Sequence, residues 1–331
     1  MRRSFIIAEM ACSHDGSVEL AEKIIDGAIE AGADAIQFQI WKHQDMVVPS
    51  HPDIDLLRKL ELSHPQWEKL TEYVRKKAPE MEIIACVYDS ASGEFAHEIG
   101  VSAFKIHTAD LSNPLLLRKI AEFGKRIDLS VGSSTFEEIS DAISWIGEEG
   151  DPKIWLMYGK QLFPTEVADA EILQAVTLAN TFELPVGYQD HSDADSDEAF
   201  SLPIAARGAG LWIQEKHITH DRAKKGADHQ AALNPEEFKR FVDSIRTIDL
   251  ALGDRRPHPF TESEKKYRKY SKKSLVTSHS IEKGHLIEES DTVSLRAESI
   301  GIPPSQIELI LGKRTSKPIE PFSVIQMDDL E

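Results

Sequence analysis

Short apolar runs alternate with amphipathic stretches over the first 250 or so residues of the chain. The runs at 5–9, 35–39, 83–87, 103–106, 127–131, 154–158, 184–188 and 211–215 are four or five residues long. They read as strands buried on both faces. Between them, apolar positions recur at helical spacing over 17–31, 64–77, 90–99, 114–123, 136–147, 168–181, 198–208 and 235–252. Ser63 precedes His64-Pro65, and Asn234-Pro235-Glu236-Glu237 sets a cap, a proline and two acids in one first turn. Gly32, Gly100 and Gly124 stand where helices should stop. Eight strand–helix units predict an α/β fold, a TIM (β/α)8 barrel over residues 1–252. A doubly wound sheet is the alternative, disfavoured by the unit count and by the lack of a Gly-x-Gly-x-x-Gly turn after the first strand.

The pattern breaks at 253–270, a polar, basic, proline-containing stretch that reads as a linker. Residues 271–331 predict a small β-rich module, with strands at 274–278, 281–284, 294–296 and 323–327 and a helical run from Pro303 to Leu311. A module of this size is marginal alone, so docking on a partner surface is expected.

Charge narrows the possible partners. The 331 residues carry 38 basic and 56 acidic side chains, a formal net charge of −18. This balance argues against nucleic acid or an anionic membrane, both of which need basic patches. A locally positive pocket for a small anion stays compatible with it. The two cysteines, Cys12 and Cys86, make no disulfide framework and fit a reducing, cytoplasmic setting. The apolar run at 5–9 is too short for a signal peptide or a membrane span.

In a TIM barrel, chemistry gathers at the C-terminal ends of the strands. Glu9, Gln37, Gln39, Lys105, Thr108, Ser130, Lys160, Gln161, His191, Glu215 and His217 all fall there. His191 and His217 end adjacent strands and are candidate ligands of one divalent metal, with hydrogen-bonded rim histidines as the alternative. Lys105, Thr108 and Ser130 lie on neighbouring strands, where a point charge and two hydroxyls suit a phosphate or carboxylate. Backbone N–H groups around Gly132-Ser133-Ser134 add to that affinity. The polar loop 221–229 either brings in a substrate-binding carboxylate or is simply solvated. Cys12 and Cys86 read as packing or pocket lining.

Together these residues resemble the N-acetylneuraminate (sialic acid) synthase family. The carrying segments are Ile-Ile-Ala-Glu9-Met-Ala-Cys12-Ser-His-Asp-Gly, Ala-Gly-Ala-Asp-Ala-Ile-Gln37-Phe-Gln39 and Phe-Lys105-Ile-His-Thr-Ala-Asp110. Pro-Val-Gly-Tyr-Gln-Asp190-His191, Glu-Lys-His217-Ile-Thr-His-Asp-Arg and Gly-Ala-Asp228-His follow in the same order. The C-terminal Lys273-Ser-Leu, Ile-Glu-Lys-Gly284, Arg296 and Leu-Gly-Lys313 resemble the family's antifreeze-protein-like (SAF) domain. The resemblance implies a barrel plus a small C-terminal domain in a domain-swapped homodimer. It implies condensation of phosphoenolpyruvate with an N-acylated amino-aldose, giving a nonulosonic acid and phosphate. By position, His191 and His217 become ligands of a divalent metal, Mn2+ before Mg2+ or Co2+. Glu9 becomes the carboxylate at the reacting centre. Lys105, Thr108, Ser130 and Gln161 become phosphoenolpyruvate contacts, and Gln39, Phe163, Asp228 and Arg296 sugar contacts, Arg296 acting across the dimer.

The departures lie in the pocket. Gln37 stands where the family has a lysine that holds phosphoenolpyruvate, and Lys160 stands where it has a neutral residue. Lys160 is therefore expected to restore the missing charge. Phe163 replaces a tyrosine that touches the sugar. The acceptor is thus N-acetylmannosamine, a 2,4-diacetamido dideoxy sugar or a 6-phosphorylated one. A related synthase or lyase using another sugar or keto-acid donor, and a silent sugar-binding homologue, are the alternatives.

Overall fold

The computed structural model describes residues 3–253 and 257–331. The chain divides into two compact units, residues 1–254 and 255–331. In the first, eight parallel strands close into a barrel in chain order. They are β1 (Phe5–Glu9), β2 (Ala35–Ile40), β3 (Glu82–Val87), β4 (Ala103–Ile106), β5 (Arg126–Ser130), β6 (Ile154–Tyr158), β7 (Val186–Asp190) and β8 (Ile213–His217). β8 pairs back onto β1, with Glu9 opposite His217. Helices follow each strand, and their buried faces pack on the outward-pointing strand residues in one continuous apolar shell. This is the predicted TIM barrel.

Side chains alternate across a strand, so every second residue of each strand points into the barrel. Ile7, Ala35, Ile84, Ala103, Trp155, Met157 and Ile213 form the apolar layer inside. Two residues further along the same strands come Glu9, Gln37, Cys86, Lys105 and Glu215. One alternation thus builds an apolar floor and a polar chamber above it.

β7 and β8 start two residues later than their apolar runs suggest. Leu184-Pro185 and Leu211 belong to the turns that enter these strands. The Leu211 N–H bonds the Ala206 carbonyl, and the Pro185 carbonyl accepts from Leu156. At the far ends Gln189-Asp190 and Lys216-His217 stay in the ladder although they are polar, because they are buried within the barrel wall.

The strand ends approach closely where glycine allows it. A Cβ on Gly132 would lie 1.9 Å from the Gly159 carbonyl oxygen, and one on Gly159 would lie 2.0 Å from that of Gln189. Both obstacles are backbone and cannot rotate away. Gly132→Ala is expected to cost about 1–3 kcal/mol, seen as a lower denaturation midpoint. An unchanged midpoint would show that β5 and β6 part freely there.

In the second unit the stretch expected as linker contains a helix, Glu262–Ser271, opened by a Thr261–Glu264 capping box. None of its residues is buried, which is why hydrophobic periodicity gave no sign of it. β9 (Lys273–Thr277) and β10 (Thr292–Arg296) pair antiparallel. Leu275, Ile287, Ile302, Ile310 and Ile325 form a small core beneath them. The strands expected at 281–284 and 323–327 reduce to single bridges, Ile281 with Ile319 and Val276 with Val324. No helix among the described residues is long and apolar enough to cross a membrane.

Candidate active site

The polar chamber opens as a cavity of about 200 Å³ at the C-terminal strand ends. Eleven of the residues singled out in the sequence line it: Glu9, Cys12, Gln39, Lys105, Ser130, Gln161, Phe163, His191, Glu215, His217 and Asp228. Thr108 stands behind this wall and reaches it through its hydroxyl, 2.9 Å from Ser130 Oγ. Lys160 is placed differently. Its ammonium pairs with Glu171 at 2.5 Å, off the cavity wall. Its backbone carbonyl is the group that turns inward, toward His191. Arg296 lies in the second unit, exposed on β10.

The two histidines are neutral ligands in waiting. His191 Nδ1 lies 2.6 Å from the Lys160 carbonyl, which can only accept, so Nδ1 carries the proton and Nε2 keeps its lone pair. Burial pulls the His191 imidazole down to about 4. Burial first, and then the nearby His191 and Lys105, hold His217 well below its ordinary value. His217 Nδ1 is buried without a partner. The imidazoles lie 5.2 Å apart at 74°, and Phe163 packs against both, at 4.3 and 5.6 Å. Two neutral imidazoles, one locked in tautomer by a carbonyl and one with an orphaned nitrogen, fit a divalent metal.

The charges are tightly balanced. Lys105 donates to Glu215 at 2.5 Å, and both side chains are buried. Burial works against the Lys105 ammonium, but Glu215 and Glu9 outweigh it and hold the group above its ordinary value. Burial also pushes the Glu9 carboxyl up to about 8, opposed by Lys105 and reinforced by Glu215. Glu9 Oε1 accepts from the Ala11 N–H at 2.6 Å and from Gln39 Nε2 at 3.4 Å. At neutral pH Glu9 therefore holds a proton it can give up. The Cys86 thiol is pushed up to about 12, chiefly by burial, and Cys12 is raised well above its ordinary value. Neither is a thiolate nucleophile.

Opposite the histidines lies a knot of neutral donors. Ser130 Oγ meets Thr108, Gln189 Nε2 at 2.9 Å and Gln161 Nε2 at 3.1 Å. Asp228, in a left-handed turn with φ of 60°, accepts from the Cys12 N–H at 3.2 Å. Gln37 is fully buried and neither end of its amide has a partner. Glu215 Oε2 is also unpartnered. Buried orphan groups of this kind mark where a ligand's polar atoms belong.

The Lys105–Glu215 pairing and the place of Gln189 in the hydroxyl knot did not emerge from apolar runs, because Glu215 only closes the run at 211–215 and Gln189 lies just past the run at 184–188. Strict alternation would have found them, by counting on from Ile213 to Glu215 and from Gly187 to Gln189. A second group also escaped notice. One ligand atom each from Asp15, His220 and His229 lie within 4.8 Å of one another, a spacing suited to a metal ion. A larger cleft of about 960 Å³ opens at the N-terminal strand ends. Its Arg126 is committed to Asp128, Glu82 and the face of Trp155.

Residues 24–257 match the NeuB family and residues 272–331 match the SAF domain. An uncharacterised protein of Methanocaldococcus jannaschii is 31% identical over 99% of this chain and 94% of its own length. The N,N'-diacetyllegionaminic acid synthase of Campylobacter jejuni is 29% identical over 96% of this chain and 97% of its own. Among solved structures, the N-acetylneuraminic acid (sialic acid) synthetase of Leptospira borgpetersenii, in complex with citrate, superposes with a TM-score of 0.74 at 30% identity. That superposition covers 81% of this chain and 92% of that one. Barrel, chamber and terminal module thus fall into place as one known architecture, and the chain belongs to the NeuB family, the family of sialic-acid-type synthases.

Proposed function

We propose that the chain condenses phosphoenolpyruvate with an N-acylated amino-aldose to give a nonulosonic acid and phosphate. A C–C bond forms between C3 of phosphoenolpyruvate and the sugar's aldehyde carbon. Water adds at C2, and the C–O bond to phosphate breaks. The observation that carries the reading is the convergence of two neutral imidazoles, one lysine and a hydroxyl knot on a single cavity. Metal dependence is general in this family. Here His191 and His217 would hold the ion, supplying Lewis-acid polarisation of an aldehyde oxygen.

The chain's own groups do the rest. Lys105, Ser130, Thr108 and Gln161 bind the anionic donor, and Glu215 keeps the ammonium of Lys105 fixed in place. Glu9, protonated below about 8, passes a proton at its carboxyl. Gln39 and Asp228 orient the sugar, while Phe163 gives it an apolar wall. Lys160 serves through its carbonyl, which sets the His191 tautomer, rather than through its charge. We place the reaction in a cytoplasmic homodimer in which Arg296 completes the sugar site.

Gln37 favours a second reading, a keto-acid donor other than phosphoenolpyruvate, because Lys105 is then the sole cation on the wall and already faces Glu215. One assay separates the two. The protein with Mn2+, phosphoenolpyruvate and a panel of N-acyl aminoaldoses should release phosphate in step with acid formation. Acid formation from pyruvate alone, without phosphate, would establish the second reading instead. Lys105→Met should raise the KM for phosphoenolpyruvate roughly tenfold to a hundredfold, the loss of one charge-assisted contact.

A further inference from the structure

We propose that Asp15, His220 and His229 form a divalent-metal site of the zinc class, separate from His191 and His217. This site clamps the loop after β1 to the loop after β8. It does not depend on the reaction proposed above.

Barrel closure makes the site. β1 and β8 are neighbours, so the loops that leave them run side by side. Asp15 comes from the first loop, in a left-handed turn with φ of 50°. His220 and His229 come from the second. His220 Nδ1 lies 3.1 Å from the Ser13 carbonyl. That oxygen only accepts, so the proton is on Nδ1 and the lone pair on Nε2, the arrangement found in metal-bound histidines. His229 Nε2 lies 3.8 Å from Asp15 Oδ2. Ligand atoms around a tetrahedral zinc are roughly 3.4 Å apart, so this pair closes by a few tenths of an ångström on loading, while the group as a whole, spread within 4.8 Å, draws in further. The two imidazoles are 5.7 Å apart at 79°.

Three further facts favour a cation here. Among the described residues Asp15 has no lysine or arginine partner, and the cationic-capable group beside its carboxylate is the His229 imidazole. His229 is 2% exposed and turns its Nε2 toward Asp15, so the nitrogen that would ligate is held inside the site. Gly226 keeps the centre open, since a Cβ there would lie 2.3 Å from Asp15 Oδ1 and 2.7 Å from His229 Nε2. Thr219 Oγ1, 3.2 Å from His229 Nε2, is the contact that metal binding would displace. Two imidazoles and one carboxylate, with a fourth position left over, suit zinc better than magnesium or calcium.

The clamp reaches the cavity through Asp228, the neighbour of His229 in sequence, which is tied to the β1 loop by the Cys12 N–H. Loading the site would fix Asp228 on the sugar-side wall, and so act on acceptor KM more than on kcat.

The test uses full-length protein stripped with chelator, dialysed against Zn2+ and assayed for bound metal by mass spectrometry. Asp15→Ala and His220→Ala should each lose one zinc per chain relative to wild type, while His217→Ala keeps that zinc. If wild type binds one zinc and Asp15→Ala none, the clamp stands and the His191–His217 site is the one that fails. Unchanged stoichiometry in folded Asp15→Ala and His220→Ala, or no zinc on wild type, overturns the proposal. Hydrogen exchange of the wild type needs no variant. At free zinc about 100-fold above Kd, opening of residues 10–17 and 219–233 should slow by about a hundredfold. Exchange there that ignores zinc would also overturn it.

Discussion

Replacing His217 with alanine is expected to lower the rate of acid formation at least about a hundredfold while leaving the barrel folded. His217 is the last residue of β8, opposite Glu9, and its Nδ1 is buried without a hydrogen-bond partner. Removing it takes away one of the two imidazoles facing the proposed ion. The remaining ligand, His191, is held by the Lys160 carbonyl and would keep its orientation. Steady-state kinetics with saturating Mn2+ and circular dichroism on the same preparation check both halves. A folded His217→Ala with unimpaired turnover would remove the metal assignment.

The second large effect is on stability. Asp190→Ala should destabilise the barrel by about 3–5 kcal/mol, because it strands a charged lysine in the interior. Asp190 accepts from Lys216 at 2.5 Å, from Ser192 at 2.7 Å and from Tyr188 at 3.2 Å. Lys216 is fully buried, and its ammonium would be left without a counter-charge. Lys216→Met should cost less, since two hydroxyl donors still serve Asp190. The double variant Lys216→Met/Asp190→Leu should recover most of the loss, as apolar replacements for buried pairs often do. Denaturant midpoints of the three proteins decide it. If Asp190→Ala and Lys216→Met fall equally, the asymmetry argued from hydroxyl partners is absent. Because these residues flank His191 and His217, Asp190→Ala should also loosen both imidazoles.

The barrel was legible because eight buried strands leave eight apolar runs, and helix caps such as Asn234-Pro235 mark where the chain turns back. Most of the cavity was legible for the same reason, since strand ends name their own occupants. Three things were hidden. Lys160 sits at a strand end in sequence, yet side-chain direction depends on the turn that follows, and that turn hands its ammonium to Glu171. Helix Glu262–Ser271 buries nothing, so its sequence shows capping without periodicity. The Asp15–His220–His229 group joins loops more than 200 residues apart, and only closure of β8 on β1 brings it together.

The apolar layer of Ile7, Ile84, Met157 and Ile213 beneath the chamber has a consequence for traffic. These side chains are wholly buried and separate the chamber from the cleft at the other end of the barrel. Substrate and product must therefore share one door. Whatever draws the loops after β1 and β8 together narrows the exit as much as the entrance. A tighter mouth would then lengthen the stay of the product, and turnover could be limited by departure rather than by bond making.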